Sequence, residues 1–165
     1  MTKNTSNEIE RMVVTRVFDA PRELVWKAWT DAKYVMQWWG PKGFTSPACK
    51  MDVRVGGKSL LCMRTPDGYE GWNAVEYHEI VPYEKIVSSM YFSDSEGNKI
   101  DPEQLGMEDE AIEGAYDVTL FEDLGNGQTR LTYIGNEPME SAKNSGQFQG
   151  WNETLEKVAA VVAGL

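Results

Sequence analysis

Residues 16–40 read RVFDAPRELVWKAWTDAKYVMQWWG, and this stretch decides the beginning of the fold. Pro21 suits a first helical turn, because a backbone N–H would have no partner there. Apolar residues then recur at helical spacing and predict one buried face: Leu24, Val25, Ala28 and Trp29. Asp31 is placed to cap a second helix over 32–39, and the Gly-Pro pair at 40–41 ends that helix.

The rest of the chain predicts an antiparallel sheet closed by one long helix. Runs of β-branched and aromatic residues, separated by Gly, Pro and Asn turn signals, predict seven strands. Their predicted ranges are 12–18, 44–55, 58–64, 69–81, 86–92, 115–121 and 129–134. A stripe of apolar residues from Phe148 to Val162 predicts a last helix over 141–163. A sheet with one apolar face must cover that face, and only this helix is long enough to do so.

Two segments depart from these regular patterns. Residues 93–113 are strongly acidic, with Lys99 as their only basic residue, and predict a long solvated loop inserted in a hairpin. Gly146 and Gly150 lie inside the predicted last helix, where glycine costs about 1 kcal/mol relative to alanine. Three explanations stay open: close packing against the sheet, room above a ligand, or a helix that begins only near Gly146.

The composition is that of a single soluble globular domain over 12–165, preceded by a polar leader over 1–11. A net charge of −10 argues against nucleic acid or an anionic membrane as a partner, since both call for a positive field. The leader lacks the apolar region of a signal peptide, and no apolar run is long enough to span a membrane. We therefore expect a cytoplasmic protein.

The chain offers few residues for metal or nucleophilic chemistry. His78 is its only histidine, and Cys49 and Cys62 are too far apart for a Cys-x-x-Cys motif, so we interpret both as buried free thiols. The sequence contains no phosphate-binding loop, dinucleotide fingerprint or nucleophile elbow. We therefore expect no metal and no cofactor, and we favour a binding protein over an enzyme.

Several motifs resemble a known family. The strand ending in RVF, the segment DAPRELVWKAWTD and the WWGP that follows are similar to the heat-shock-protein ATPase activator homologue (AHSA-type) family of the START-like (SRPBCC) superfamily. The EIVP at 79–82 and the Gly-Trp pair at 150–151 agree with it. The resemblance implies a helix-grip α+β fold, in which a curved antiparallel sheet of six to seven strands surrounds a long C-terminal helix. Two short helices follow the first strand, and a cavity lies between sheet and helix.

Six tryptophans, seven tyrosines and eight methionines favour either a well-packed core or a cavity lined by flat and flexible groups. We predict that the cavity is lined by Trp38, Trp39, Met51, Met63, Met90, Phe148 and Trp151. Adjacent helical residues point about 100° apart, so one of Trp38 and Trp39 is expected at a boundary. Glu79 is the candidate polar group facing the cavity, with Arg16 and Arg54 as further candidates.

Three functional hypotheses follow. The first is binding of a small apolar or amphipathic molecule in the cavity, which includes a role in the stress response. The second is an enzyme of the polyketide cyclase or aromatase type, which needs only a shaped cavity and one or two positioned acids or bases. The third is a chaperone accessory protein, as the family's name implies. The sequence leaves open whether the protein forms a homodimer.

Overall fold

The computed structural model describes residues 9–165 and places them in one antiparallel sheet with four α-helices. The strands are β1 (Arg11–Phe18), β2 (Cys49–Lys50), β3 (Lys58–Arg64), β4 (Glu70–Val81), β5 (Lys85–Ser93), β6 (Asp117–Gly125) and β7 (Gln128–Pro138). The helices are α1 (Arg22–Thr30), α2 (Ala32–Trp38), α3 (Met139–Ser145) and α4 (Gln147–Ala163). Residues 1–8 of the predicted leader lie outside the described residues, and Arg11 of that leader already begins β1.

The sheet is a meander that β1 completes at one edge. Its strand order is β1-β7-β6-β5-β4-β3-β2, with antiparallel pairing throughout. Helix α4 packs on β1, α1 and α2, and it buries Trp151, Thr154, Leu155, Val158 and Val162. The α+β helix-grip fold, with a curved seven-stranded sheet around the C-terminal helix, is therefore confirmed.

The predicted pair of short helices is also confirmed, because the local signals act as expected. Helix α1 buries Val25 and Ala28, which belong to its predicted apolar face. The carboxylate of Asp31 accepts a hydrogen bond from the backbone N–H of Lys33, 3.0 Å away, and so caps α2. The chain then turns at Gly40, whose φ of +106° suits glycine.

The second strand is much shorter than the predicted range 44–55. Only Cys49–Lys50 pairs with β3, together with one isolated bridge from Thr45. The chain leaves the ladder after this pair, because the backbone N–H of Asp52 donates to Ser59 Oγ at 3.0 Å. The Arg54 N–H then bonds back to the Asp52 carbonyl at 3.1 Å. The apolar alternation over 51–55 thus belongs to an irregular turn beside the sheet edge.

The predicted last helix over 141–163 is broken into two. Gly146 has φ +86°, a left-handed conformation that ends α3, and α4 begins at the next residue. The explanation that the long helix begins near Gly146 is therefore confirmed for α4. Gly150 lies inside α4, and a Cβ there would meet Pro41 at 3.6 Å, an ordinary van der Waals distance. Close packing therefore does not require glycine at 150.

The acidic segment over 93–113 connects β5 to β6 and is mostly exposed, as predicted. Its one regular element is a short 3₁₀ helix, Pro102–Leu105, and Ser93 forms an isolated bridge with Lys99. The end of the segment is fixed to β7, because the backbone N–H of Ile112 donates to the Asn136 carbonyl at 2.6 Å. The loop is therefore an insertion in the β5–β6 hairpin. None of the helices in residues 9–165 combines the length and the apolar composition that a membrane-spanning helix requires.

Candidate functional site

A partly open cavity of about 50 Å³ lies between the sheet and the helices α1, α2 and α4. It is lined by Trp29, Thr30, Val35, Trp38, Trp39, Met51, Leu61, Val75, Tyr77, Ile86, Ser88, Met90, Asp117, Thr119, Tyr133 and Trp151. One water needs roughly 10–15 Å³ by such a measure, and an apolar cavity of about 150 Å³ holds benzene. The cavity therefore has room for a few waters, and a ring-sized ligand requires side chains to move.

Five of the seven predicted lining residues do line the cavity: Trp38, Trp39, Met51, Met90 and Trp151. The other two do not. Met63 packs beside Gly40 and is not among the residues that line the cavity. Phe148 is half-buried near the start of α4, with the Lys143 ammonium 5.8 Å from its ring centroid. The predicted placement of these two residues at the cavity is wrong.

The prediction that one of Trp38 and Trp39 lies at a boundary is also wrong. Their exposed fractions are 2% and 6%, so both rings are buried. Helix α2 ends at Trp38, and Trp39 has an extended backbone with φ −63° and ψ 121°. The 100° spacing of helical neighbours therefore does not apply to this pair, and the turn after the helix brings the second ring back into the interior.

Four tryptophans and one tyrosine form a continuous aromatic wall around the cavity. Trp29 stacks on Trp38 with ring centroids 4.7 Å apart and on Trp151 at 6.3 Å. Trp39 meets Trp151 edge-on at 6.0 Å, and Tyr133 lies 4.3 Å from the same ring. Each such pair contributes about 0.5–1.5 kcal/mol beyond the burial of its area. Trp151 of α4 is therefore the central ring. It contacts Trp29 of α1, Trp39 just after α2 and Tyr133 of β7.

The indole nitrogen of Trp39 is the one buried side-chain polar atom in the described residues without a hydrogen-bond partner. The neighbouring indole differs, because Trp38 Nε1 donates to the Ala28 carbonyl at 2.8 Å. Leaving a buried donor unpaired costs about 1–3 kcal/mol. The cavity wall thus contains a donor with unused hydrogen-bonding capacity.

Two ionisable side chains, Asp117 of β6 and Tyr133 of β7, line the side of the cavity that the sheet forms. Burial raises the pKa of Asp117 to about 6, and its interactions with the Asn136 backbone, Tyr133 and Arg11 only partly offset that effect. Burial also raises the pKa of the Tyr133 phenol, and the adjacent Asp117 adds to the shift. The carboxyl group therefore titrates close to neutrality inside the protein.

Asp117 is not among the site residues predicted from the sequence, although its place in the strand pattern identifies it. Asp117 alternates in phase with Thr119 and Phe121, and all three are buried. An aspartate on the inward face of a strand is a candidate functional group, because charged residues are rarely buried without a role or a partner. Glu137 belongs to the same acidic region: burial, and then the charges of Asp117 and Glu110, raise its pKa to about 7.

The predicted polar cavity group, Glu79, is instead on the surface. Its side chain is 51% exposed and forms an ion pair with Lys85 at 3.1 Å. The pairing of β4 with β5 shifts by one residue at His78, between Tyr77 and Glu79. This bulge reverses the alternation of faces, so that Glu79 points away from the side on which Tyr77 is buried.

The two further candidates do not line the cavity either. Arg16 is half-buried on β1, and Arg54 is 70% exposed and pairs with the Asp52 carboxylate at 2.9 Å. The residues with hydroxyl or carboxyl groups that do line the cavity are Thr30, Tyr77, Ser88, Asp117, Thr119 and Tyr133.

An open surface groove of about 670 Å³ lies beside the cavity, along α1. It is lined by Glu23, Leu24, Trp26, Lys27, Thr30, Asp31, Ala32, Met51 and Tyr83. Thr30 and Met51 line both the groove and the cavity. These two side chains therefore separate the interior space from the outer one.

The remaining candidates for chemistry lie elsewhere. His78 is exposed, with Nε2 2.7 Å from Ser89 Oγ and its ring stacked on Tyr116 at 4.1 Å. Cys62 is buried, Cys49 is half-buried, and both thiols are free, as predicted. Burial raises the pKa of Cys49 to about 12, so this thiol is unreactive at neutral pH. No group of three His, Cys, Asp or Glu side chains in residues 9–165 is arranged to hold a metal ion.

A curved antiparallel sheet that surrounds a C-terminal helix and an aromatic cavity defines a START-like domain. The chain belongs to the family described as activator of Hsp90 ATPase homolog 1-like protein, whose sequence model matches residues 19–163.

Solved bacterial structures share this fold. A protein of Arthrobacter aurescens is 24% identical with a TM-score of 0.74, over 93% of this chain and 86% of that one. A protein of Chromobacterium violaceum is 23% identical with a TM-score of 0.72, over 93% and 96% of the two chains. A protein of Staphylococcus epidermidis is 22% identical with a TM-score of 0.75, over 95% and 92%. At these identities the likeness establishes the fold alone.

One curated relative also matches part of the sequence. An isoleucine–tRNA ligase of Mycoplasma mobile is 32% identical over an alignment of 83 positions, and the match covers 45% of this chain and 9% of the ligase. The chain thus spans less than a tenth of that enzyme. A match of this extent assigns no activity to the present chain.

Proposed function

We propose that this protein binds a small apolar or amphipathic molecule in the aromatic cavity. The observation that carries the proposal is a partly open space between the sheet and the helices that is walled by stacked rings. Trp29, Trp39 and Trp151 offer flat apolar surfaces to a ligand, and they have little conformational freedom to lose on binding.

The size of the cavity requires that binding be coupled to side-chain movement. About 50 Å³ is roughly a third of the space that holds benzene in an apolar core. Met51 and Met90 are the flexible members of the lining, and methionine changes rotamer at little cost. Because Met51 also lines the outer groove, its displacement would both enlarge the cavity and widen its connection to the surface.

A ligand titration with a cavity-filling variant tests the proposal. α-Methylstyrene should quench tryptophan fluorescence saturably and raise the melting temperature by mass action. Ser88→Val places a larger side chain in the lining, so it should weaken that binding by at least about tenfold. Ser89→Val is the matched control, because Ser89 lies next to it on β5 but contacts His78 on the other face. The control should bind as the wild type does.

A panel of flat apolar molecules that gave neither quenching nor a thermal shift would overturn the proposal. Equal affinities of the wild type and Ser88→Val would do the same, since binding would then occur elsewhere. Native mass spectrometry of protein purified from its own host identifies the natural ligand when one co-purifies.

A second candidate, an enzyme that uses the same cavity, is favoured by one observation. Asp117 lies in the cavity wall beside Tyr133 with a pKa of about 6, a value suited to proton transfer near neutral pH. Incubation of a co-purified ligand with the protein tests this candidate by mass spectrometry. Conversion by the wild type, together with binding but no conversion by Asp117→Asn, would establish catalysis.

The family description supports a third hypothesis, that the protein acts as a chaperone accessory. The ATPase rate of an Hsp90-type chaperone, measured with and without the protein, tests it. This role, the homodimer and the cytoplasmic location stay predictions.

A further inference from the structure

We infer that the ligand of this cavity carries a neutral hydrogen-bond acceptor, such as a ketone, lactone, ester or quinone oxygen, and that Trp39 Nε1 is the donor that selects it. The inference rests on the proposed function, because it concerns the chemistry of the molecule bound in the same cavity. It goes further by naming the polar group and the residue that recognises it.

The donor inventory of the aromatic wall supports Trp39 as that residue. Trp38 Nε1 is already bonded to the Ala28 carbonyl at 2.8 Å, and the Tyr133 hydroxyl is next to the Asp117 carboxyl group. Among the four indole nitrogens of the wall, that of Trp39 is the one that is both buried and without a partner in the described residues. Trp39 lines the cavity, and only 6% of its surface is exposed. Its Nε1 has no hydrogen-bond partner in the described part of the chain. A native interior rarely leaves such a donor unpaired without a reason.

The charges around the cavity indicate that the acceptor is neutral. The lining residues all belong to the described part of the chain. They include Asp117, and none of them is Lys, Arg or His. An anionic ligand would lose its hydration without gaining a counter-ion, and it would face a carboxyl group. A carbonyl oxygen accepts a hydrogen bond at a much smaller cost of desolvation.

The burial of the donor adds to the argument. Less than 1 Å² of Trp39 Nε1 is accessible in the free protein, so no cavity water reaches it and the donor stays unpaired until side chains move to admit a ligand. A ligand whose entry brings an acceptor to this donor gains a hydrogen bond that a hydrocarbon cannot form. The unpaired donor therefore discriminates against pure hydrocarbons and in favour of molecules with an acceptor.

The test compares acetophenone with α-methylstyrene, which have nearly the same shape but carry C=O and C=CH₂ at the same place. The ratio of their dissociation constants is measured for the wild type, for Trp39→Phe, and for Trp72→Phe on β4, which does not line the cavity. Comparing ratios cancels the different hydration of the two compounds. The preference of the wild type for acetophenone should fall about tenfold in Trp39→Phe and remain unchanged in Trp72→Phe.

The NMR signals of the indole N–H groups in the wild-type protein give a second readout. This readout does not depend on whether Trp39→Phe folds stably. The Trp39 proton should move downfield on binding acetophenone and not on binding α-methylstyrene. Equal ratios in the wild type and Trp39→Phe, with both compounds bound, would overturn this inference and leave the proposed function intact. Failure of both compounds to bind would overturn both. A Trp39 N–H signal that both compounds shift equally would also contradict the inference.

Discussion

The indole nitrogen of Trp38 donates a hydrogen bond to the backbone carbonyl of Ala28, 2.8 Å away. Ala28 lies in the last turn of α1, where carbonyl groups have no partner within the helix. The carbonyl group of Ala28 at the end of α1 therefore finds its hydrogen-bond donor in Trp38, the last residue of α2. This bond fixes α2 against α1 and so places the following residue, Trp39, in the cavity wall.

The two adjacent tryptophans should differ in what they contribute to stability. Replacing either by phenylalanine removes a similar part of a buried ring, but only Trp38→Phe leaves a buried carbonyl unpaired. We expect Trp38→Phe to be less stable than Trp39→Phe by about 1–2 kcal/mol in urea unfolding. Equal losses, or a larger loss in Trp39→Phe, would show that Trp39 has a partner that the structure does not reveal.

The stability of the protein should depend on pH through Asp117. Burial raises the pKa of this carboxyl from 3.8 to about 6 in the folded state. A group with a raised folded-state pKa contributes its full stability below the unfolded pKa and loses it as the pH rises through the folded value. Between about pH 4 and pH 7 the wild type should lose about 2–3 kcal/mol that Asp117→Asn retains.

Urea unfolding of both proteins across this pH range measures the difference. Glu137, whose pKa is raised to about 7 by burial and then by the charges of Asp117 and Glu110, is present in both proteins. It accounts for a loss that remains in the variant, and that loss is smaller there because the Asp117 charge is absent. Parallel curves for the two proteins would show that Asp117 is ionised in the folded state without penalty.

The two glycines near the start of α4 should respond to alanine in opposite directions. Gly146 has φ +86°, so alanine there would be strained and should destabilise the protein by about 1–2 kcal/mol. Gly150 has helical geometry, and a Cβ would meet Pro41 at an ordinary 3.6 Å, so Gly150→Ala should stabilise by about 0.5–1 kcal/mol. Thermal melts of the pair decide this, and destabilisation by Gly150→Ala would indicate that α4 cannot tolerate even a methyl group there.

The acidic segment over 93–113 should be the first internal site of limited proteolysis. Most of it is exposed, and its one regular element is a single turn of 3₁₀ helix, so few buried contacts oppose local opening. Shortening it before Ile112 should change stability by less than about 1 kcal/mol, since loop-closure entropy varies slowly with length. Mass spectrometry of the first fragments locates the cut. Strong protection of these amides in hydrogen exchange would show that the segment packs as a lid.

The order of elements could be predicted from the sequence because local signals and tertiary packing agree. The apolar face of α1, the Asp31 cap and the turn at Gly125–Gly127 each act within a few residues, and the structure retains all of them. The short β2 could not be predicted, because an edge strand ends where its hydrogen bonds go elsewhere. Here the Ser59 hydroxyl accepts a hydrogen bond from the Asp52 N–H, and the alternation of apolar residues over 51–55 does not reveal this side-chain partner on β3.

The cavity lining was predicted in part for a related reason. Aromatic and methionine content indicated which residues are large and apolar, but not which of them border an empty space. The bulge at His78 reversed the face of Glu79, and a bulge has no reliable sequence signal in a strand without glycine at that point. Asp117 could have been found, since it precedes two inward-facing residues in strict alternation.

The central claim, that a small molecule binds inside the aromatic cavity, is tested most directly by contacts between a bound ligand and methionine methyl groups. Met51 and Met90 line the cavity, whereas Met63 packs beside Gly40 outside it. In protein labelled at its methionine methyl groups, bound acetophenone should show nuclear Overhauser effects to Met51 and Met90 and none to Met63. Contacts confined to other methionines, or saturating acetophenone with no contact to either lining methyl group, would contradict the claim.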